Sequence, residues 1–317
     1  MKKILVTGAA GFIGSNLAKY LLKEGNLVFG VDNFITGSVE NVDRLRANPN
    51  FSFLEADISD LEPSQEIALI NQEFDEVYHL ACPTGVPNLV TLAEEMLLTC
   101  SIGTRNILEI AKDSRAKILF TSSSEVYGDP QQFPQTEEYT GNVDPVNIRS
   151  PYEEGKRYSE SLVAMYTRKH GLESRIVRVF NTYGPYMADK DARVIPKFMN
   201  QLKANTPLSV HGKGEQKRTF CHVDDLVDGL IIAMRYGEKG KVYNIGSEEE
   251  ISIADLAKLL IEISGSNVGI QVIERPKHDH WSRRPDLSKI SSLGWSPKID
   301  LKKGLRLILK EQPLEVA

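Results

Sequence analysis

The segment VTGAAGFIGSNL places glycines at positions 8, 11 and 14, directly after a short apolar run at 3–7 and directly before a helical pattern at 12–24. A strand that turns through glycine into a helix begins a crossover unit whose next strand lies parallel to the first. Gly8 permits the tight turn, Gly11 lets the backbone approach a ligand phosphate, and Gly14 lets the helix pack near the strand. The alternation then repeats. Apolar runs at 27–31, 51–54, 76–80, 117–120 and 175–179 are separated by helical patterns such as 102–111 and 154–169. This predicts an α/β fold with a Rossmann-type doubly wound parallel sheet. Ligands of such folds sit at the carboxyl ends of the strands, and Gly8, Asp32, Asp57, Ala81, Ser123 and Asn181 all fall just after those ends. Beyond about residue 180 shorter segments and turns interrupt helices at 194–203 and 253–263. The expectation is a cofactor domain over 1–180, rejoined by segments near 219–245, and a smaller C-terminal substrate-binding lobe made mainly of 181–317.

The glycine spacing is GxxGxxG rather than the GxGxxG of the dinucleotide fingerprint, and a glycine triplet alone also suits a merely flexible loop. Its context favours a dinucleotide. A helix N-terminus offers unpaired N–H groups and positive potential to phosphates. Asp32 ends the second strand, where a carboxylate accepts hydrogen bonds from both adenosine ribose hydroxyls and repels a 2′-phosphate. NAD is therefore expected over NADP. Asp57 follows the third strand, in position to meet the adenine, or else is a solvated loop acid.

Tyr152 and Lys156 stand four apart at the start of a helix and so share a face. A tyrosine with its usual pKa of about 10 is a poor base at neutral pH, and a neighbouring ammonium favours the phenolate. YxxxK alone is often a surface pair. Here it follows the fifth strand's TSSSEVYG segment, where Ser123 can bond a substrate hydroxyl beside Tyr152. Together these point to oxidation at a hydroxyl-bearing carbon.

Bulk properties exclude other classes. The net charge of -5 gives no electrostatic case for nucleic acid or an anionic membrane. No apolar run approaches the roughly 18 residues of a membrane span. The N-terminal MKKILVTGAAGFIG is too short in its apolar part, and too broken by glycine, to read as a signal peptide. Cys82, Cys100 and Cys221 are far apart in sequence without CxxC spacing, and the histidines lack ligand spacing. Reduced thiols in a cytoplasmic protein, and no metal site, are expected.

TGAAGFIG, HLA at 79–81, the serine run and YxxxK, in that order, resemble the extended short-chain dehydrogenase/reductases that act on nucleotide sugars. The resemblance covers nearly the whole chain, since RVFNTYGP, GEQKRTFCHVDDLVDG, YNIGS and RRPDLSKISSLGWSPK are similar to that family's later motifs. SSEVYGDP, GNVDPVNIRSPYEEGKRYSE and FNTYGP are most similar to the UDP-glucuronate decarboxylases, which make UDP-xylose. The resemblance implies a triad of Ser123, Tyr152 as base and Lys156 as its partner, with Glu125 beside the sugar and Arg218 near the reacting sugar and phosphate. It implies NAD contacts at Gly8, Gly11, Phe12, Ile13 and Gly14, at Asp32, Asn33 and Gly37, and at Asp57, Ile58, Leu80, Ala81, Tyr152 and Lys156. For the nucleotide sugar it implies Pro83, Thr84 and Asn88 in a loop, with Ser123, Asn181, Arg193, Val194, His211, Arg218 and Arg283; Asn181, Arg193 and Arg283 would hold the diphosphate or ribose. Bland alternatives are a helix-start acid for Glu125, a surface cation for Arg218 and a partner of Asp286 for Arg283. A homodimer on paired helices, through faces at 93–111 and 154–169, is also implied.

The chain departs from that family in one loop. CPTGVPNLVTLAEEML aligns without gaps to the segment that contacts the substrate carboxylate. Tyrosines are usual there at Leu89 and Thr91, a lysine at Glu95 and an asparagine at Cys100; further on, GPYM has Tyr186 for arginine. Glu95, if it faces the pocket, would repel a carboxylate, whereas backbone N–H groups, Thr84 or Asn88 can replace the lost contacts. A UDP-sugar 4-epimerase would use the same Tyr152, Ser123 and NAD. A 4,6-dehydratase needs an Asp–Glu pair, and here Ser124 precedes Glu125. An NAD-sensing binding protein tends to lose the tyrosine or lysine, and both are present.

Overall fold

The computed structural model describes residues 1–85, 87–187, 191, 193–274 and 283–311. Its centre is a seven-stranded sheet of β1 (Lys3–Thr7), β2 (Leu27–Asp32), β3 (Phe51–Glu55), β4 (Glu76–His79), β5 (Lys117–Ser123), β6 (Ser174–Val179) and β7 (Val242–Ile245), in the spatial order β7-β6-β5-β4-β1-β2-β3. Every neighbouring pair is parallel. The chain runs outward from β1 through β2 to β3, then returns to place β4 on the other side of β1. That reversal opens a crevice beyond the carboxyl ends of β1 and β4, where doubly wound folds bind ligands.

The strands read as apolar runs because helices cover both sheet faces. Side chains alternate: Ile4 and Val6 join Leu17 and Leu21 of helix Phe12–Lys23 and Leu226 and Leu230 of helix Val223–Tyr236. Leu5, Ile118 and Phe120 join Ile107 of helix Thr104–Asp113 and Val163 and Tyr166 of helix Ser150–His170. Burying each such side chain contributes about 1.5–3 kcal/mol. A separate cluster, with Phe198, Leu202, Leu208, Leu256, Leu260 and Leu305, packs helices Val194–Lys203, Ile253–Ser264 and Leu301–Glu311 around a two-stranded pair, Leu208–His211 with Ile270–Ile273.

Three local features differ from the sequence reading. β5 runs on to Ser123, so the serines continue the strand as buried polar residues. β7 was not legible: its four residues, VYNI, carry a polar residue at Asn244. That side chain is satisfied in the core, accepting from Tyr127 Oη at 2.8 Å and donating to Gln135 O at 3.0 Å. The helix read from 102 begins earlier, as Ala93–Leu98, and continues through a π-helical turn, Thr99–Gly103, into Thr104–Asp113.

Candidate active site

The glycine turn is built as its spacing requires. Gly8 has φ +72°, and a Cβ there would lie 2.9 Å from Ala81 N; one on Gly14 would lie 2.0 Å from Gly8 O. One on Gly37 would lie 2.7 Å from Ala10 Cβ. No other residue keeps these backbones so close. Asp32 is held by backbone donors, accepting from Ala10 N at 3.0 Å and Phe34 N at 2.8 Å. Burial pushes its carboxyl up, and those amides pull against the shift. Asp57 is anchored in its loop, accepting from Asn33 Nδ2 at 2.8 Å and from Ser59 N at 2.8 Å. This cradle, closed to any Cβ and ended by a fixed acid, fits a dinucleotide.

The turn opens into one cavity of about 1530 Å³. Single drug-sized ligands occupy pockets of roughly 300–1,000 Å³, so there is room for a dinucleotide and a second nucleotide. The cavity brings together the residues expected to hold cofactor and substrate: the cofactor set from Gly8 to Ala81, the loop residues Pro83, Thr84 and Asn88, the group Ser123, Glu125, Tyr152 and Lys156, and Asn181, Arg193, Val194, His211, Arg218 and Arg283.

Tyr152 and Lys156 lie in the first two turns of helix Ser150–His170, beneath the end of β5. Lys156 Nζ donates to Thr121 O at 2.9 Å and lies 6.0 Å from the Tyr152 ring centroid. Burial pushes the phenol up to about 12; Lys156 and a hydrogen bond with Ser123 pull it down without prevailing. The sequence reading weighed only the ammonium. In the ligand-free protein desolvation wins, and Tyr152 is a neutral phenol at neutral pH.

Glu125 lies in the short turn Ser124–Tyr127 and is clasped by two arginines. Arg149 Nη2 donates to it at 2.5 Å, and Arg283 Nη1 donates to its other oxygen. Burial opposes its ionisation, but Arg283 and Arg149 outweigh burial and hold the carboxyl well below the usual range. Arg283, expected at the diphosphate or ribose, reaches Glu125 and Gly128 O, and the bland alternative of a pairing with Asp286 is not the contact it makes. Its Nε, itself buried, has no partner among the described residues. Arg149 was missed. It precedes the helix in an irregular loop, and no local pattern shows that a residue 24 positions after Glu125 folds back onto it. Arg218 lines the cavity from strand Lys217–Thr219 of the smaller lobe, with Nη1 donating to Lys217 O at 2.8 Å. Arg193 pairs with Asp191, its Nε donating at 3.0 Å.

Behind the pair lies a buried polar relay. His79 Nδ1 bonds Thr7 Oγ1 at 2.7 Å and its Nε2 bonds Thr104 Oγ1 at 3.1 Å. Thr104 Oγ1 in turn meets Ser159 Oγ at 3.2 Å. Burial, and secondarily Lys156, lower the His79 pKa to about 3. Because the folded value lies below the unfolded one, folding is disfavoured as pH falls below about 6.5. That loss stops growing only near pH 3. Each unit across that window costs about 1.4 kcal/mol at most. Denaturant unfolding at several pH values should show this slope, and a His79→Gln variant should lack it whatever its stability at pH 7.

The altered loop is divided by the fold. Leu89 is buried and lines the cavity, whereas Thr91 and Glu95 are not among the described residues that line it. The anticipated repulsion by Glu95 therefore does not arise. Tyr186 lies away from the loop: its ring lies 4.4 Å from the Arg44 guanidinium, and Arg44 bonds Asn41, which caps Ala10 O. This substitution bears on the cofactor end.

A doubly wound sheet, a phosphate-accepting glycine turn and a Ser–Tyr–Lys group in one cavity define a dinucleotide-dependent enzyme acting at a hydroxyl-bearing carbon. Residues 4–246 match the NAD dependent epimerase/dehydratase family, and the chain belongs to it. UDP-glucuronic acid decarboxylase 2 of Arabidopsis thaliana is 43% identical over 310 residues, covering 98% of this chain and 68% of the relative. Among solved structures, the UDP-glucose 4-epimerase of Thermotoga maritima with UDP-glucose superposes with TM-score 0.89 at 31% identity, over 99% of this chain and all of that one. The UDP-glucuronic acid 4-epimerase of Bacillus cereus, in complex with UDP-glucuronic acid and NAD, gives 0.87 at 30% identity, over 97% of this chain and 98% of that one. No helix among the described residues is long and apolar enough to cross a membrane.

Proposed function

We propose that the chain is an NAD-dependent UDP-glucuronate decarboxylase that forms UDP-xylose through a 4-keto intermediate. The observation that carries this reading is the meeting of Ser123, Glu125, Tyr152 and Lys156 in the cavity below the glycine turn, in a chain 43% identical over 310 residues to a UDP-glucuronic acid decarboxylase. Gly8, Gly11 and Gly14 admit the pyrophosphate and Asp32 takes the adenosine ribose. NAD held there would supply a reversible hydride acceptor for sugar C4, so no external oxidant would be consumed. Ser123 orients the 4-hydroxyl and Tyr152, as phenolate, takes its proton. Lys156 supplies the nearby positive charge that favours the phenolate. The resulting ketone lies β to the C6 carboxylate. The C5–C6 bond then breaks, carbon dioxide leaves, and the electron pair is delocalised into an enolate that is reprotonated at C5. Glu125, kept ionised by its two arginines, orders hydroxyls or water beside the sugar and is not itself the acid. Arg218 and Arg283 serve the nucleotide sugar, together with Asn181, Arg193 and His211.

The second reading is a UDP-sugar 4-epimerase, favoured by one observation: Leu89 puts an apolar side chain on the cavity wall where the decarboxylases carry tyrosine. Incubation with UDP-glucuronate, followed by NMR of products and by carbon dioxide release, separates the two. UDP-xylose with stoichiometric carbon dioxide is expected. UDP-galacturonate without gas would establish the epimerase, and turnover of neutral UDP-sugars alone would overturn the decarboxylase.

The same reading includes a homodimer in the cytoplasm. Leu97, Leu98, Ile102 and Tyr158 are 45%, 38%, 45% and 53% exposed on adjoining helices, an apolar face suited to a second copy. The three free cysteines suit a reducing compartment.

A further inference from the structure

Cys82 and Cys100, 18 residues apart in sequence, lie with their sulfurs 3.5 Å apart. They bracket a segment whose first part carries Pro83, Thr84, Asn88 and Leu89 into the cavity and whose second part is helix Ala93–Leu98. Cys82 follows β4, is half-buried and lines the cavity. Cys100 is buried behind the wall in the π-helical turn Thr99–Gly103. That turn is held from the catalytic helix, where Ser159 Oγ donates to Cys100 O at 2.6 Å. Gly155, next to Lys156, leaves the space for the sulfur: a Cβ at 155 would lie 3.2 Å from Cys100 Sγ. The hydrogen bond between them splits the two thiols: with burial it pushes Cys82 well up, and it lowers Cys100, where burial opposes the shift and Lys156 assists it. Cys221 is buried elsewhere, and burial pushes its thiol up.

We propose that Cys82 and Cys100 form a dithiol modification site, oxidised by small hydroperoxides entering the cavity to a disulfide that pins the substrate loop and stops turnover. The three observations that carry it are the 3.5 Å sulfur contact, the opening of Cys82 to the cavity and the position of the pair on either side of the segment that carries the substrate loop. The chemistry balances. Cys82, the sulfur open to the cavity, passes its proton to Cys100 and attacks the outer oxygen of a hydroperoxide ROOH; the O–O bond breaks, ROH leaves after protonation (water when the oxidant is hydrogen peroxide), and Cys82 becomes a sulfenic acid. The Cys100 sulfur attacks it, the S–S bond forms, and a water leaves. Two thiols are oxidised and one peroxide is reduced, with no further reactant. The approach required is about 1.5 Å, to a bond of about 2.05 Å. A pinned loop cannot adjust around the sugar, and the crosslink ends in the cavity wall that Tyr152 shares.

The crosslink stands independently of the proposed reaction; only the loss of turnover rests on that reading. The NAD-loaded protein is treated with hydrogen peroxide, quenched with N-ethylmaleimide, digested and weighed. The expected product joins the Cys82 and Cys100 peptides, about 2 Da lighter than the sum of the two thiol peptides, and reverts with dithiothreitol. Decarboxylation of UDP-glucuronate should fall at least about tenfold with the crosslink and return on reduction, and a Cys100→Ser variant should show no reversible loss. Proteolytic cutting within 82–100 should slow in the oxidised protein, a readout that remains if UDP-glucuronate is not turned over even when reduced. Both thiols still alkylated, or Cys82 oxidised without a crosslink, would overturn the site; a crosslink that leaves turnover and cutting unchanged would overturn its effect.

Discussion

Replacing Tyr152 with phenylalanine is expected to lower kcat for UDP-glucuronate by about 100- to 10,000-fold, the range over which a positioned proton acceptor contributes. The substitution removes one oxygen from the cavity wall and leaves the ring packed, so the unfolding midpoint should stay near that of the parent. KM should move far less than kcat, because the lost interaction matters most as the proton leaves the sugar. The pH profile adds a second check. Burial sets the phenol near 12 in the ligand-free protein, so the reactive phenolate fraction, and kcat/KM with it, should rise with pH through the neutral range. Lys156→Met removes a charge that favours the phenolate and should move that rise to higher pH. Full activity in the phenylalanine variant would overturn the mechanism.

Glu125→Gln is expected to cost about 3 kcal/mol of stability, the lower end of what breaking a buried ion pair costs. Glutamine keeps the shape but leaves the Arg149 and Arg283 guanidiniums facing each other without their shared anion. The lower end applies because the Glu125 side chain is 21% exposed, against 16% and 5% for its partners. The sign with pH follows from its depressed pKa. The stabilisation is fully present above the unfolded value of about 4.3 and is lost progressively as pH falls from there to the lower folded value. The gap between parent and variant should therefore hold from neutral pH down to about 4.3, narrow steadily below it and close only in strong acid. Denaturant unfolding at neutral pH and in mild acid measures it. A loss below about 1 kcal/mol at neutral pH, the value typical of exposed pairs, would overturn the clasp as a buried one. Adding Arg283→Met to the variant should restore part of the stability by relieving the uncompensated charge.

Some of this site was legible at once because its chemistry is local. Gly8, Gly11 and Gly14 declare a turn whose next atoms are those of the same helix, and Tyr152 and Lys156 share a face by helical period alone. Asp32 and Ser123 could be placed because apolar runs end where strands end. Other residues were placed by resemblance, and there the fold redistributed the expectations: Arg283 meets Glu125, Glu95 stays off the cavity lining, and Tyr186 falls beside Arg44 at the cofactor end. The phenol's pKa was misjudged in direction because charge can be read along a helix and burial cannot.

The amino-acid sequence alone therefore determined the glycine cradle, the alternation of strand and helix, the doubly wound class and the Tyr152–Lys156 pair, since each depends on residues a few positions apart and on periods set by backbone geometry. Only the tertiary structure decided that Arg149 and Arg283 close on Glu125, that Asn244 carries a seventh strand into the core, and that Cys82 meets Cys100 behind the substrate loop. Those contacts join residues 18 to 158 positions apart, and across such separations it is the packing of helices on the sheet, not any local pattern, that selects the neighbour.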